Sequence, residues 1–227
     1  MKSSAIRKAL DLIMSLRFKK LKSKILIKYG SPKIVFTEFY KNNIWGSEDS
    51  VSGVGTELKY TENIINEIPL LLKNLYIKSI ADIPCGDFHY MKNIDLTGYE
   101  YSGFDIVKEM IEKNKIEFES IGITFRYFDA INEVLLKHDI IICRDLFIHF
   151  SFANTLKTIE NFKKSGTKYL LTNTYPEISL NKDIKTGNWR PINLALEPYN
   201  FTKPEYIIEE HTSVEHGLKQ LALYVIN

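Results

Sequence analysis

The sequence has few cysteines, no long apolar run and no glycine-rich nucleotide-binding loop. Its 227 residues include only Cys85 and Cys143, which excludes a disulfide framework and leaves no Cys/His spacing for a zinc site. No stretch reaches the roughly 18 apolar residues that a membrane-spanning helix needs. The Gly-x-Gly-x-x-Gly and Walker A patterns are absent, which argues against NAD and ATP sites. The cysteine usage predicts a cytoplasmic protein, and no metal site is expected.

A small net charge of +2 conceals a strongly basic N-terminal segment. Residues 1–30 contain nine Lys or Arg and one acid, Asp11, which gives a formal charge of +8 against −6 for the rest of the chain. Asp11 interrupts the apolar stretch and no small-residue cleavage site follows, so a signal peptide is not expected. The helical spacing of the apolar residues predicts an amphipathic helix. This helix has two possible roles. It binds an anionic membrane or an acidic partner, or it packs on the domain as a lid whose lysines are solvated.

The rest of the chain alternates between helix and strand patterns. The predicted strands are Ser79–Ile83, Tyr99–Phe104, Ile123–Phe128, Asp139–Cys143 and Lys168–Thr172, and the predicted helices are Thr61–Leu75, with Thr61 as its cap, Val107–Ser120 and Ala153–Ser165. Strands separated by helices predict a parallel sheet with right-handed crossovers. The continuous apolar run of the fourth strand is typical of a sheet that is covered on both faces.

The C-terminal pattern is different. The predicted strands Tyr206–Glu210 and Gln220–Ile226 have no helix between them, only a connection that includes Glu215-His216-Gly217, which predicts an antiparallel hairpin. The fold class is therefore α/β, a mostly parallel sheet with a C-terminal antiparallel hairpin and helices on both faces. We divide the chain into a basic helical extension, residues 1–45, and a domain, residues 46–227. Within that domain, residues 173–204 form a long loop with four of the seven prolines, and such loops are usually functional.

Acidic residues stand at the carboxyl ends of successive predicted strands, where ligands bind in open parallel sheets. Those ends carry Asp82 with the turn Pro84-Cys85-Gly86-Asp87, then Asp105, then Asp129, then Arg144-Asp145. A carboxylate after the second strand is the usual partner of a ribose diol. Acids beside the first turn would repel a pyrophosphate but suit a cationic nucleoside such as S-adenosylmethionine (SAM). The pattern therefore favours a SAM site.

Over roughly residues 50–227 the chain resembles the class I SAM-dependent methyltransferases. The stretch Ala81–Asp87 is similar to their first-strand motif, Asp105 matches the ribose acid and Asp129 matches the residue near adenine. Glycines are usual in that family where Pro84 and Phe88 stand. The resemblance implies a Rossmann-like sheet, SAM as cofactor and methyl transfer.

The predicted cofactor-binding residues are Asp82, Pro84, Cys85, Gly86, Asp87, Asp105, Ile106, Asp129, Ala130 and Arg144, with Ser52 and Gly53 from a flexible loop before the first helix. Two of these assignments have open alternatives. Asp87 either binds the cofactor ammonium or caps a short helix. The segment containing Ser52 either closes over the cofactor or is an ordinary connection.

Two residues after the fourth strand are candidates for catalysis. A histidine takes a hydroxyl proton readily near neutral pH, which makes His149 the first candidate for general base. Its alternative role is packing or capping at the following helix. Asp145 is the second candidate, as base or as orienter of His149, or else it forms a salt bridge with Arg144.

The long loop supplies candidates for acceptor binding. Trp189 offers a flat face for a sugar, Arg190 a bidentate grip on an anion, and Asn193 lies nearby in sequence, while His89 borders the site from the first turn. Alternatively, Trp189 and Arg190 only pin their own loop. The stretches at residues 84–88, 143–149 and 187–194 resemble the motifs of a narrower bacterial subgroup, which is associated with surface-polysaccharide loci.

The sequence thus predicts methyl transfer, most simply O-methylation, from SAM to a small polar, anionic acceptor such as a sugar, a nucleotide sugar or a capsule-precursor hydroxyl. Two alternatives remain open. One is an RNA methyltransferase whose basic segment tracks phosphates, although the acidic body argues against a nucleic-acid partner. The other is a non-catalytic subunit of the same fold that binds a partner through residues 1–30.

Overall fold

The computed structural model describes residues 21–210 and 217–227. In this part of the chain a seven-stranded sheet has the order β3-β2-β1-β4-β5-β7-β6. The strands are β1 (Ser79–Asp82), β2 (Glu100–Asp105), β3 (Ile123–Tyr127), β4 (Ile140–Cys143), β5 (Tyr169–Thr174), β6 (Tyr206–Glu210) and β7 (Lys219–Val225). β1 to β5 pair in parallel, and β7 pairs antiparallel with both β5 and β6. The predicted parallel sheet with an antiparallel C-terminal hairpin is confirmed.

Helices cover both faces of the sheet, as predicted. They are α1 (Pro32–Lys41), α2 (Leu58–Asn74), α3 (Lys108–Phe118) and α4 (Phe152–Lys164). The alternating side chains of β4 show the two layers, because Ile140 packs in a cluster with Ile64 of α2, whereas Ile141 packs in a cluster with Ile159 of α4. All four residues of β4 are buried, which explains its unbroken apolar run.

Capping residues explain where two of the helices begin, whereas one predicted helix start is wrong. Ser31 caps α1, followed by Pro32 at the first turn, and the side chain of Ser151 caps α4. The predicted Thr61 cap of α2 is wrong, since that helix begins at Leu58. Thr61 lies inside the first turns, fully buried, and its hydroxyl donates to the Glu57 carbonyl at 3.2 Å. The three residues before Thr61 have ordinary helix propensity and extend the helix backwards.

Parts of the predicted organisation lie outside the described residues. These are the first 20 residues of the basic extension and most of the connection between β6 and β7. The chain is helical over residues 21–29, directly before α1. A bilayer-spanning helix is not found in the described part of the chain.

Candidate active site

A cavity lies at the carboxyl ends of β1, β2 and β4, and α1 lies over it. The residues that line it come from five separate segments of the chain, as expected for an open parallel sheet. They are Phe36, Tyr40, Trp45, Ser52, Thr56, Ile83, Pro84, Cys85, Gly86, Asp87, His89, Tyr90, Asp105, Ile106, Val107, Met110, Phe128, Asp129, Ala130, Arg144, Asp145, Leu146, His149 and Phe150. We call it the first cavity. Residues on both sides of the predicted domain boundary at residue 45 contribute to it.

The turn after β1 brings backbone close to the cavity. Gly86 has a φ of 55°, and its N–H donates to the Asp105 carboxylate at 3.3 Å. A Cβ on Gly86 would come within 2.3 Å of the Ser52 Oγ, so only glycine lets the turn and the upstream loop pack this tightly. The Asn114 side chain donates to the Gly86 carbonyl at 2.7 Å and fixes the turn from α3. The Cys85 thiol is buried in this turn, and burial raises its pKa.

The carboxylate of Asp105 ends β2 inside this cavity. It accepts hydrogen bonds from the Val107 N–H at 2.9 Å and from the Gly86 N–H at 3.3 Å. Burial raises the pKa of Asp105 to about 6, and the two backbone donors oppose that rise. Each carboxylate oxygen has a second lone pair, so a pair of ligand hydroxyls can still be bound.

Asp87 fastens the loop that precedes α2. Its carboxylate accepts from the Ser50 hydroxyl at 2.9 Å, the Val51 N–H at 3.0 Å and the Ser52 hydroxyl at 3.0 Å. The loop is therefore closed against the β1 turn. Asp87 also lines the first cavity, and its predicted contact with a cofactor ammonium stays a prediction.

Asp82 lies beneath the cavity rather than in it. Its side chain is fully buried, and one oxygen accepts from the Tyr101 hydroxyl at 2.6 Å. Burial raises the pKa of Asp82 to about 7. The predicted direct contact of Asp82 with the cofactor has no support in this placement, because the β1 side chain points into the core below the turn.

Part of the first cavity has an apolar wall. It is formed by Ile106, Phe128 and Ala130, with Asp129 at its edge. The Asp129 carboxylate accepts from the Ile131 N–H at 3.0 Å and so closes a turn after β3. Such a wall with a polar edge suits the flat face of a base.

A second cavity adjoins the first and shares five residues with it. The shared residues are Trp45, Ser52, Arg144, Asp145 and His149, and the others are Gly53, Val54, Gly55, Tyr60, Ile148, Tyr175, Trp189, Glu210 and Lys219. Trp189 is 39% exposed there and meets the Tyr175 ring edge-on. The two cavities therefore form adjoining sites with His149 and Asp145 between them.

A buried quartet of charges borders both cavities. Arg144 pairs with Glu210 at 2.6 Å and with Asp145 at 3.2 Å, while Lys219 pairs with Asp145 at 2.8 Å and with Glu210 at 2.9 Å. Burial acts to raise the pKa of Asp145, but the two cations hold it below its ordinary value. Asp145 is therefore a weak base, and the salt bridge with Arg144 is the role that the structure shows for it. The guanidinium of Arg144 is committed to this quartet and to the Gly55 carbonyl at 2.7 Å.

His149 lies at the junction of the cavities with a defined ring orientation. Its Nδ1 is 2.9 Å from the carbonyl of Asn188, and a carbonyl only accepts, so Nδ1 carries the hydrogen and Nε2 the free lone pair. The Trp45 ring lies 6.2 Å away, centroid to centroid. Burial lowers the pKa of His149, so the ring is neutral at neutral pH. The described contacts assign the orienting role to Asn188 rather than to Asp145.

The loop after β5 uses two predicted acceptor residues for its own structure. Arg190 donates to the carbonyls of Lys182 at 2.9 Å and Phe147 at 2.7 Å and to the Tyr199 hydroxyl at 2.8 Å. The buried Asn193 amide donates within the loop, at 3.0 Å to the Ile178 carbonyl. Neither residue lines a cavity, so the predicted acceptor contacts of Arg190 and Asn193 have no support in this placement. Buried polar side chains, rather than a helix or a strand, hold this long loop together.

Most of the predicted site residues come together. The first cavity includes Ser52, Pro84, Cys85, Gly86, Asp87, His89, Asp105, Ile106, Asp129, Ala130, Arg144, Asp145 and His149, and the second adds Gly53 and Trp189. Asp82, Arg190 and Asn193 line neither cavity. The described residues also contain no group of three His, Cys, Asp or Glu arranged for a metal ion.

Several residues that line the two cavities were not predicted from the sequence. Glu210 and Lys219 come from the hairpin, where they stand at the end of β6 and at the start of β7, and their charge beside apolar strand residues was the available signal. Tyr90 also lines the first cavity, and its buried hydroxyl has no hydrogen-bond partner among the described residues, as is the case for the buried Nε2 of His89. Buried polar atoms without partners are rare, and two at one cavity point to a polar ligand.

Comparison with known proteins extends the fold assignment. No protein-family model matches the chain, and no curated protein sequence is detectably similar to it. Among solved structures, magnesium protoporphyrin IX methyltransferase (ChlM) from Synechocystis with bound SAM is 14% identical with a TM-score of 0.57, covering 86% of this chain and 97% of that one. Human N-acetylserotonin methyltransferase in complex with SAM is 14% identical with a TM-score of 0.57, covering 84% of this chain and 58% of that one.

A third similar structure is TehB from Haemophilus influenzae, at 16% identity and a TM-score of 0.51, covering 70% of this chain and 61% of that one. The chain thus spans about three fifths of the length of TehB. At these identities the similarity establishes the fold. The chain has the Rossmann-like sheet of methyltransferases that have been crystallised with SAM.

Proposed function

We propose that the protein transfers a methyl group from SAM to a hydroxyl of a small polar acceptor, with SAM in the first cavity and the acceptor in the second. The observation that carries the proposal is the pair of adjoining cavities at the carboxyl ends of the parallel strands. The neutral His149 and the half-buried Asp145 lie where the cavities meet. The similarity in fold to enzymes crystallised with SAM supports the same assignment.

The charges around the first cavity suit a cationic ligand. The described residues that line it include the carboxylates of Asp87, Asp105, Asp129 and Asp145 and one guanidinium, that of Arg144. Arg144 is already paired with Asp145 and Glu210, which leaves an excess of negative charge. Asp105 is placed to accept hydrogen bonds from ribose hydroxyls, and the wall formed by Ile106, Phe128 and Ala130 to cover adenine.

The chain's contribution to the reaction would be positioning and proton removal. Bound SAM supplies an electrophilic methyl group on a sulfonium. Nε2 of His149 carries the lone pair that can take the acceptor's hydroxyl proton as the oxygen becomes bonded to carbon. The Asn188 carbonyl holds the ring for that step, and the nearby Asp145 stabilises the imidazolium that forms. Binding in two adjoining cavities would bring the reacting groups together, and such positioning can supply about 7–11 kcal/mol of a barrier.

The second cavity supports a sugar-like acceptor. Trp189 provides an exposed aromatic face on which a sugar ring can lie, and the buried Tyr175 supports it edge-on. The two cations of the cavity, Arg144 and Lys219, are matched by two carboxylates. Arg190 was the main reason to predict an anionic acceptor, and it lines neither cavity. We therefore favour a sugar hydroxyl of a surface-polysaccharide precursor as the acceptor, and the acceptor need not be charged.

Calorimetry with SAM tests the cofactor assignment. Asp105→Asn keeps an acceptor oxygen but removes the charge, and we expect it to weaken SAM binding about tenfold or more, as for the loss of a charged hydrogen bond. The matched control is Asp95→Asn, because Asp95 is exposed and accepts only from a neighbouring turn, at Thr97. No SAM binding by the unaltered protein would contradict the function, and an unaffected Asp105→Asn would contradict only the ribose assignment.

A screen of acceptors tests the reaction itself. The intact protein is incubated with SAM and a panel of sugars, nucleotide sugars and polysaccharide precursors, and products are examined by mass spectrometry. We expect one acceptor class to gain the mass of one methyl group only when SAM is present. Methylation of an RNA panel without any sugar product would favour the RNA alternative instead.

A further inference from the structure

The helical stretch over residues 21–29 has two distinct sides. One side packs on the domain, where a Cβ on Gly187 would come within 3.1 Å of Ile27 and 2.6 Å of Val35. The other side carries Leu21, Ile25 and Tyr29, which are 57%, 52% and 74% exposed. Because these three residues are spaced by four, they form one stripe along the helix. A helix that is packed on one side is thus apolar on its outer side as well.

Lysines flank this apolar stripe. On a helix, Lys24 and Lys28 fall on one side of the stripe and Lys22 on the other. The Lys28 ammonium lies 5.0 Å from the centre of the Tyr29 ring, so the cation stays at the edge of the stripe. An apolar stripe with basic flanks is the pattern of helices that lie in the interface of a membrane.

We propose that residues 21–29 dock the protein on the surface of an anionic lipid bilayer, with the outer stripe in the headgroup region and Lys24 and Lys28 on lipid phosphates and carboxylates, while Lys22 keeps its ion pair with Glu38 at 2.7 Å. The charge of residues 1–30, +8, is complementary to such a surface. A second copy of the chain would bring an equal positive charge against the first. A stripe of three side chains is also small against the roughly 1,200 Å² that stable protein interfaces bury.

Docking on this side has a direct structural link to the candidate active site. The packed side of the helix touches Gly187, whose N–H donates to the His149 carbonyl at 2.8 Å. The next residue, Asn188, accepts from the His149 ring. The membrane-facing helix and the general base are therefore held by the same short piece of loop.

Vesicle co-sedimentation of the full chain tests the proposal without SAM or an acceptor, so its result is independent of the proposed function. We expect binding to phosphatidylcholine vesicles that contain phosphatidylserine, no binding to pure phosphatidylcholine, and weaker binding as salt is raised. The double variants Leu21→Gln/Ile25→Gln and Lys24→Glu/Lys28→Glu should each reduce partitioning about tenfold or more.

Matched controls use equally exposed residues elsewhere. They are Ile121→Gln/Leu136→Gln for the apolar pair and Lys137→Glu/Lys203→Glu for the basic pair, all exposed in the structure. Binding by the helix variants as strong as by the controls would overturn the proposal. So would a concentration-dependent dimer that only the stripe variants abolish, since the stripe would then belong to a second copy. Equal binding to neutral and anionic vesicles would overturn the charge-based part of the argument.

Discussion

Three aspartates that end neighbouring strands have different chemistry because their surroundings differ. Burial raises the pKa of Asp82 to about 7 and that of Asp105 to about 6, whereas the cations beside Asp145 hold its pKa below the ordinary value. The strand pattern predicts that all three lie at one edge of the sheet. It does not predict these differences, because the Tyr101 hydroxyl and Lys219 reach them from distant parts of the chain.

His149 allows a sharp test of the base assignment. His149→Asn keeps a donor for the Asn188 carbonyl but has no group in place of Nε2, so we expect turnover to fall about a hundredfold or more with SAM affinity unchanged. In the unaltered protein only the neutral ring accepts a proton. Because the pKa of His149 lies below its ordinary value of 6.5, kcat/KM should stay level above that pH and fall only on further acidification. A pH profile of kcat/KM for the acceptor measures both effects, taken at saturating SAM so that the titration of Asp105, whose pKa is about 6, does not contribute.

The control is His138→Asn, at a histidine whose ring bonds to the Leu136 carbonyl away from both cavities. It should leave the profile unchanged. If His149→Asn retains the acidic fall in kcat/KM, another group titrates and His149 is not the base.

At the scale of elements, the predicted bounds of the seven strands and of α2, α3 and α4 agree with the structure to within three residues, whereas α1 had no predicted bounds and the loops were not predicted. Tyr206–Glu210 was predicted with the bounds that the structure shows, since short apolar alternation between turn residues is a local signal. The closed loop before α2 was left between two alternatives, because its closure depends on Asp87, which lies 35 to 37 residues further along the chain. Side chains distant in sequence decide what such a loop does.

Ser50→Ala tests whether this loop is held closed by Asp87. The Ser50 hydroxyl donates to that carboxylate and accepts from the Thr56 hydroxyl at 2.7 Å, and Ser50 itself lines neither cavity. Loss of a hydrogen bond to a charged group is expected to increase local opening about tenfold or more. Hydrogen exchange over residues 51–56 should accelerate and SAM affinity should fall. Ser120→Ala, at an exposed serine, is the control, and unchanged exchange in Ser50→Ala would contradict the fastening role.

At the scale of the whole molecule, the quartet of charges joins the parallel part of the sheet to the antiparallel hairpin. Arg144 and Asp145 follow β4, whereas Glu210 ends β6 and Lys219 begins β7. The Asn173 amide donates to Glu210 from the strand between them. The sequence allowed the fold and the edge of the sheet that carries the site to be predicted. It did not allow this quartet to be predicted, because the register of the hairpin decides which charges meet.

Glu210→Gln tests how much this quartet contributes to the free energy of unfolding. The substitution leaves the buried cations Arg144 and Lys219 with one carboxylate, Asp145, and we expect a loss of about 3 kcal/mol in the free energy of unfolding. Urea unfolding measures it. Glu209→Gln changes the exposed neighbour on the same strand and should have almost no effect. Equal unfolding midpoints for the two variants would show that the quartet adds nothing to stability.

The position of β7 between β5 and β6 has a consequence for biosynthesis. In the described sheet β6 pairs with β7 alone, although β6 is made first. A chain that grows from its N-terminus therefore cannot add β6 to the sheet until β7 has left the ribosome and paired with β5. Lys219 arrives with that strand, so the wall of the second cavity is completed at the same moment as the sheet. Nascent chains with a finished parallel core would still lack a complete second cavity.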